Sequence, residues 1–502
     1  MKKVVSFIIF ALMASVASAY DAKIDGICYN LVPKANMAEV VAGDDKYSGQ
    51  VVIPSTVEYE GTTYNVTSIA ERAFGSCSEL TSVLLPKGIK EIKPETFSDC
   101  TNLESVSLPD DLQILGDRAF YFCFSLKECL LPESVDSVGN YVFQECQSLT
   151  TVNIPEKLKA VPDGMFFSCR SLASVAIPET VVSIGNSSFS GCSSLESVSI
   201  PVGVSSIGES AFSGCKAITK ISLPEVLESI GTNAFFGCEG LVTVEIPKGV
   251  TGKIDCFGGC TRLESVTIPE GVSLLGGFSG CSSLTSIEIP AGVTEILGKA
   301  FKECTGLTSI VLPDDVQTIG TEAFFGCKNL GTITFGSGLI RIHDIAFEDC
   351  DGLTAVVLPD SLEDIGELAF ADCSALKSVT IGKGISRIRR FAFRDCRALE
   401  DFYCYAETLP GSMPEGEEMT IFDNAYINFA TLHVPESAIE TYRTTAPWSE
   451  FGLIVAIEGT GIRGVNGSGF SADLPCYNLA GQKVNASYKG IVIQNGKKHL
   501  CK

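Results

Sequence analysis

Residues 206–241 read SIGESAFSGCKAITKISLPEVLESIGTNAFFGCEGL, and the phrase SIGESAFSGC at Ser206 returns as SIGTNAFFGC at Ser229, 23 residues later. The cysteine of that phrase marks a longer series. It stands at Cys77, Cys100, Cys123, Cys146, Cys169, Cys192, Cys215, Cys238, Cys260, Cys281, Cys304, Cys327, Cys350, Cys373 and Cys396, every step being 23 residues except one of 22 and one of 21. A phenylalanine lies three residues before each, from Phe74 to Phe393, and a leucine three residues after each, with Ile218 the exception. The unit is F-x-x-C-x-x-L-x-x-[VI]-x-[IL]-P-x-x-[VL]-x-x-[IL]-G. Fifteen copies in register specify a repeat array before any other reading.

The half of the unit after the leucine alternates. In LESVSLP, Val106 and Leu108 point to one side and Ser105 and Ser107 to the other. About eight buried side chains, each contributing roughly 1.5–3 kcal/mol, do not offset an ordering cost of about 1.5 kcal/mol for each residue of one unit. A single copy therefore does not fold alone. Stacked copies bury Val on Val, Leu on Leu and Phe on Phe. Proline after most strands ends the ladder, and Gly336 and Gly382 take its place in two units. The V-x-x-I-G part reads as a second short extended piece. AFxxCxxL reads as a helical turn or 3₁₀ segment.

These residues carry a likeness. The unit resembles the leucine-rich repeats of BspA-like bacterial surface proteins of the Bacteroidetes type. The resemblance covers Thr67 to Cys404. It implies an α/β repeat solenoid of about 15 repeats, curved and right-handed, with a parallel concave sheet and short strands and helical turns on the other side. Two units are one and two residues short after the strand, between Pro247 and Phe257 and between Pro269 and Phe278. The concave sheet is expected to run on unbroken there, with a change of curvature near residues 250–278.

The ends differ from the array. MKKVVSFIIFALMASVASAYD has the lysines, apolar run and small-residue site of a secretory signal peptide, residues 1–19, cleaved after Ala19. Residues 20–66 read as an N-terminal cap with a hairpin about Glu60-Gly61, and 67–404 as the solenoid. Residues 405–458 read as a C-terminal cap with a strand, a short helix and Trp448, after the polar loop LPGSMPEGEEM. Residues 459–502 read as a linker and a short β tail with a turn at Asn495-Gly496. That tail, CYNLAGQKVNASYKGIVIQNGKK, is similar to type IX sorting segments, which implies passage across an outer membrane. No later segment is apolar for long enough to span a bilayer.

A net charge of −23 excludes nucleic acid as partner, since a polyanion needs neutralising lysines and arginines. Three histidines in the chain give no nucleophile–base pair; neither His343 nor His433 has an evident partner, and no enzyme is expected. Equivalent cysteines about 5 Å apart with parallel Cβ vectors suit buried thiols and not disulfides. Cys129 and Cys404, at apolar strand positions, read likewise as small hydrophobes. Cys256 and Cys260 lack two further ligands for a metal. Gly459, Gly461 and Gly464 spell a dinucleotide fingerprint, but no strand precedes it and no helix follows. No metal, cofactor or catalytic residue is assigned.

The outward strand positions are mostly hydroxylated, with charge at Glu128, Lys220, Glu245, Glu288 and Asp401 and one aromatic, Tyr403. Solvated sheet surface accounts for them; as a ladder they also suit an extended ligand. Ser197, Ser222, Thr243, Glu245, Thr267 and Glu288 are the candidate contacts. A second candidate is the run of Arg387, Arg389 and Arg390, a solvated face or a site for an anionic group. The expected protein is a secreted or outer-membrane-surface binding module that contacts an extracellular host protein or glycan; the resemblance adds fibronectin- or fibrinogen-type ligands. A passive spacer of the cell envelope is the alternative.

Overall fold

The computed structural model describes residues 20–411 and 421–457 and the strands Cys476–Asn478, Lys483–Val484, Gly490–Gln494 and Lys497–Cys501. The chain divides into two compact units, one ending at Ile218 and one starting at Thr219. Residues 1–19, 412–420 and 458–475, on which the leader, polar-loop and linker readings fall, lie outside the described residues.

The strand segments of the repeats fall into two stacks, and in several repeats the first-stack segment is reduced to a single bridge or carries no strand. In the first unit, Leu80–Leu84, Ser105–Ser107, Glu128–Cys129 and Thr151–Val152 pair in parallel, each residue meeting its equivalent one repeat on. The second stack holds two-residue strands such as Glu91–Ile92, Ile114–Leu115 and Ser137–Val138. In the second unit that second stack runs from Gly252–Asp255 to Arg387–Ile388 through seven strands. Inward residues of both stacks are buried or nearly so and outward ones exposed or half-buried, as period-2 alternation requires, with Asp364 the buried exception.

The phenylalanines form the spine. Consecutive rings stack, for example Phe97 on Phe120 at 5.3 Å and 6° and Phe324 on Phe347 at 5.0 Å and 4°. Such pairs contribute about 0.5–1.5 kcal/mol beyond area burial. The flanking segments continue the spine with rings of their own. Tyr47 lies 4.8 Å from Phe74, its hydroxyl donating to the Val41 carbonyl at 2.6 Å. At the other end Phe422 lies 5.9 Å from Phe393, backed by Trp448 at 5.5 Å.

The AFxxC segment is not helical, and every helix among the described residues lies beyond Tyr426. Two left-handed residues flank the phenylalanine instead, such as Glu95 (φ 54°) and Asp99 (φ 61°) about Phe97. They turn alternate amides the same way. Glu95, Phe97 and Asp99 donate to the carbonyls of Asp117, Ala119 and Tyr121 in the next repeat, at 2.9, 2.9 and 2.7 Å. A helix would have turned these groups inward along itself; stacking recruits them between copies.

The thiols depart from the small-hydrophobe reading. The cysteines from Cys28 to Cys404 are buried and none is bridged. Cys100 Sγ donates to the Phe74 carbonyl at 3.0 Å and Cys123 Sγ to that of Phe97 at 3.1 Å. The bond recurs down each unit, as at Cys169–Phe143 (3.1 Å) and Cys350–Phe324 (3.2 Å). Burial raises the thiol pKa, up to about 12 for Cys100, Cys192, Cys260 and Cys327 and well above the ordinary value for Cys123, Cys146 and Cys169.

The short repeats are absorbed in the second stack. Gly252–Asp255 and Val272–Gly276 are longer than the usual two-residue strands there, and pair with a register shift at Gly252/Lys253. The first stack does not run unbroken. Thr243–Glu245 pairs with Ser265–Thr267, but the equivalent residues 286–289 form no strand before Ser309–Val311 resumes the ladder. The first stack is also reduced to single bridges at Ser174–Ser197 and at Lys220–Thr243, between repeats of full length, so its interruptions are not confined to the short units.

Before the array, Thr56–Tyr59 and Thr62–Ile69 form an antiparallel hairpin about Glu60 (φ 48°) and Gly61 (φ 77°). After it, Thr431–Val434 and Leu453–Ala456 add parallel strands to Asp401–Cys404. In the tail, Gly490–Gln494 and Lys497–Cys501 pair antiparallel, and the turn expected at Asn495-Gly496 lies outside the described residues.

Candidate binding groove on the strand face

At the start of the second unit the strand pairing is thin: Lys220 and Thr243 share a single bridge, and the ladder proper begins with Thr243–Glu245 on Ser265–Thr267. A groove of about 760 Å³ opens over the strand ends. Its floor is Ile221, Leu223, Ile246, Pro247, Ile268 and Pro269. Its walls carry Ser222, Thr243 and Thr267 with Lys220, Lys248, Glu225, Glu245 and Glu270. All eight wall residues are exposed. Proline shapes this floor, because Pro247 and Pro269 end the ladder and leave the strand tips without amide donors.

Four of the sequence-derived contacts, Ser222, Thr243, Glu245 and Thr267, therefore line one groove. Ser197 belongs to the first unit, bridged to Ser174, and Glu288 lies outside the groove on the unpaired stretch. The two lysines and the glutamates at 225 and 270 were missed as contacts. Lys220 was legible as an outward charge, whereas Lys248, Glu225 and Glu270 follow the proline, where the strand period gives no direction. An apolar floor between hydroxyls and both signs of charge suits an extended segment that brings side chains of mixed character.

The arginine run is not an open positive face. Arg390 Nε pairs with Glu367 at 2.8 Å, and Arg389 bonds Asp364 at 3.1 Å and Asp344 at 3.4 Å. Hydrogen bonding to Asp364 raises the Arg389 pKa. Arg387 lies 3.9 Å from Asp364. The acids responsible sit one repeat earlier (Asp364, Glu367) or two (Asp344), at separations that neighbours in sequence do not reveal.

Tyr403 and His433 stack at 4.0 Å on the outward face of the last strands, and His433 Nε2 meets Asp401 Oδ1 at 2.8 Å. His433 thus has the partner that the sequence did not supply. His343 is half-buried in the array. Among the described residues no group of three His, Cys, Asp or Glu could hold a metal ion, and no helix is long and apolar enough to cross a membrane.

The profile of the BspA-type leucine-rich repeat region matches residues 67–195, 159–277 and 276–400, about two thirds of the chain. This chain belongs to the BspA-type leucine-rich repeat family. A leucine-rich repeat protein of Bacteroides ovatus is similar over 88% of this chain and 100% of its own, at 25% identity and a TM-score of 0.55. A leucine-rich cell surface protein of Faecalibacterium prausnitzii is 25% identical over 88% of this chain and 95% of its own, with a TM-score of 0.40. A leucine-rich repeat protein of T. pallidum is 30% identical over 43% of this chain and 87% of its own, with a TM-score of 0.32. The comparison with curated proteins gives no match. The family's stacked repeats are a scaffold for protein interaction.

Proposed function

We propose that this chain is a secreted or surface-displayed recognition module that holds an extended segment of an extracellular host protein along the outward face of its strands. The observation that carries the reading is the groove at 220–270, where a single-bridge strand pairing, an apolar floor and five flanking charges coincide with the hydroxyl ladder. The reading takes the array as right-handed with this face concave, as the family resemblance implies. It takes residues 1–19 as a leader removed on export, 20–66 and 405–458 as caps, and 459–502 as a linker and sorting tail.

The test is an array of extracellular host proteins and glycans probed with wild type and with the S222K/T243K/E245K/T267K variant. Exposed substitutions of this kind move stability by less than about 0.5 kcal/mol each. A ligand bound by wild type and lost by the folded variant supports the groove. Equal binding by both removes it, and binding of nothing by either favours a passive spacer.

A further inference from the structure

The geometry points to a second recognition site, an arginine pair held open around Asp364 that binds the carboxylates of an acidic peptide segment of a partner. It is independent of the groove and belongs to the second strand stack. Arg341, Asp364 and Arg387 are equivalent residues of three successive repeats, each 23 apart, and pair side by side as Arg341↔Asp364↔Arg387. Asp364 is only 6% exposed. Its Oδ2 lies 3.1 Å from Arg389, 3.6 Å from Arg341 and 3.9 Å from Arg387, and its Oδ1 is buried with no hydrogen-bond partner.

The three arginines are unequal. Arg389 is committed to Asp364 and Asp344. Arg341 and Arg387 make no side-chain hydrogen bond among the described residues and are 50% and 57% exposed. A guanidinium offers five donors in a fixed fork, so both present most of theirs to solvent. Three guanidiniums face two carboxylates here, an excess of one positive charge in a chain of net charge −23. The buried carboxylate draws the two forks to its flanks without saturating either. They stand two strands apart, about 10 Å at the parallel-strand spacing. Carboxylates two or three residues apart on an extended peptide span about 7–10 Å, and the fork matches a carboxylate with two parallel bonds. Arg390, already paired with Glu367, is not part of the site.

The probe is poly-L-glutamate, titrated at low salt against full-length protein, with a sulfated polysaccharide and inorganic sulfate in parallel. Gly411 pairs with Arg387, and Glu415, Glu417 and Glu418 follow it in the chain. Each measurement is therefore made in wild type and in an E415Q/E417Q/E418Q background. The expected result is saturable polyglutamate binding in at least one background, weakened about tenfold or more by R341Q/R387Q and unchanged by R390Q. Melting curves establish that the variants are folded. Absence of polyglutamate binding in both backgrounds overturns the proposal. Equal loss with R390Q overturns it as general charge attraction. Binding of the sulfated polysaccharide alone replaces the peptide partner with a glycan.

Discussion

Alkali should open this array steeply, and the thiols should set the steepness. An ordinary thiol ionises near 9.0, but burial holds Cys100 and Cys192 at about 12 in the folded chain and pushes Cys123, Cys146 and Cys169 well above the ordinary value. A raised pKa means that the folded chain keeps protons which the unfolded chain releases. The stabilisation is complete below the ordinary pKa and is lost as pH rises from there towards the folded value. Each such thiol removes about 1.4 kcal/mol per pH unit in that window, so these five together remove about 7. Against a stability of about 5–15 kcal/mol, the first unit should unfold within about two pH units above the ordinary thiol value. The assay is a pH series followed by circular dichroism and by thiolate absorbance in the ultraviolet. Both signals should move together. C123A/C146A/C169A should be less stable at neutral pH yet lose stability with a shallower slope, by about 4 kcal/mol per unit on the same arithmetic. Full thiolate absorbance from a folded array, or a slope indifferent to the three substitutions, would refute the reasoning.

Other outcomes follow from single contacts. C169S should cost about 1–3 kcal/mol in chemical denaturation: the Phe143 carbonyl is 3.1 Å from sulfur, and the shorter serine arm leaves a buried hydroxyl on a stretched bond. C169A should cost less, because Phe143 still accepts the Cys146 amide at 3.0 Å. G164A should destabilise by about 1–3 kcal/mol, since Gly164 has φ 58° and a Cβ there would enter the Tyr141 ring; Y141A should recover part of that cost in a double-mutant cycle. Deleting residues 476–502 should leave the array folded by circular dichroism and abolish surface display on cells, and normal display would remove the sorting role.

How much of this was readable beforehand depends on whether a feature lies on the repeat period or across it. The two strand stacks and the phenylalanine spine follow from which side chains alternate and recur. The turn conformation does not, because its left-handed positions hold Asp99, Phe122, Glu145 and Gly191 in successive or nearby copies, with no shared residue type to betray them. The role of the thiols was half legible. Burial follows from spacing, but the acceptor is a backbone carbonyl and leaves no mark in a sequence. The arginine run was half legible for a related reason. Arg390 answers to Glu367 and Arg341 to Asp364, partners found only by reading down the repeat. In the groove the hydroxyls were legible and Lys248 was not, since it follows a proline that ends the alternation.

The turn stack has a polarity whose consequence reaches beyond stability. Every amide it exchanges points towards the following copy and every carbonyl towards the preceding one. The last copies accordingly meet acceptors, Phe393 and Asp395 donating to Ile421 and Asp423, while Gly75 at the start is met by the ammonium of Lys46. The two terminators are chemically opposite and cannot exchange places. Between them each copy is a tile with one donor edge and one acceptor edge, so gene duplication or loss of a whole tile changes length without disturbing either terminator. Stripped of both, such a chain would present unlike ends and assemble head to tail into an open filament, never tail to tail into a closed pair.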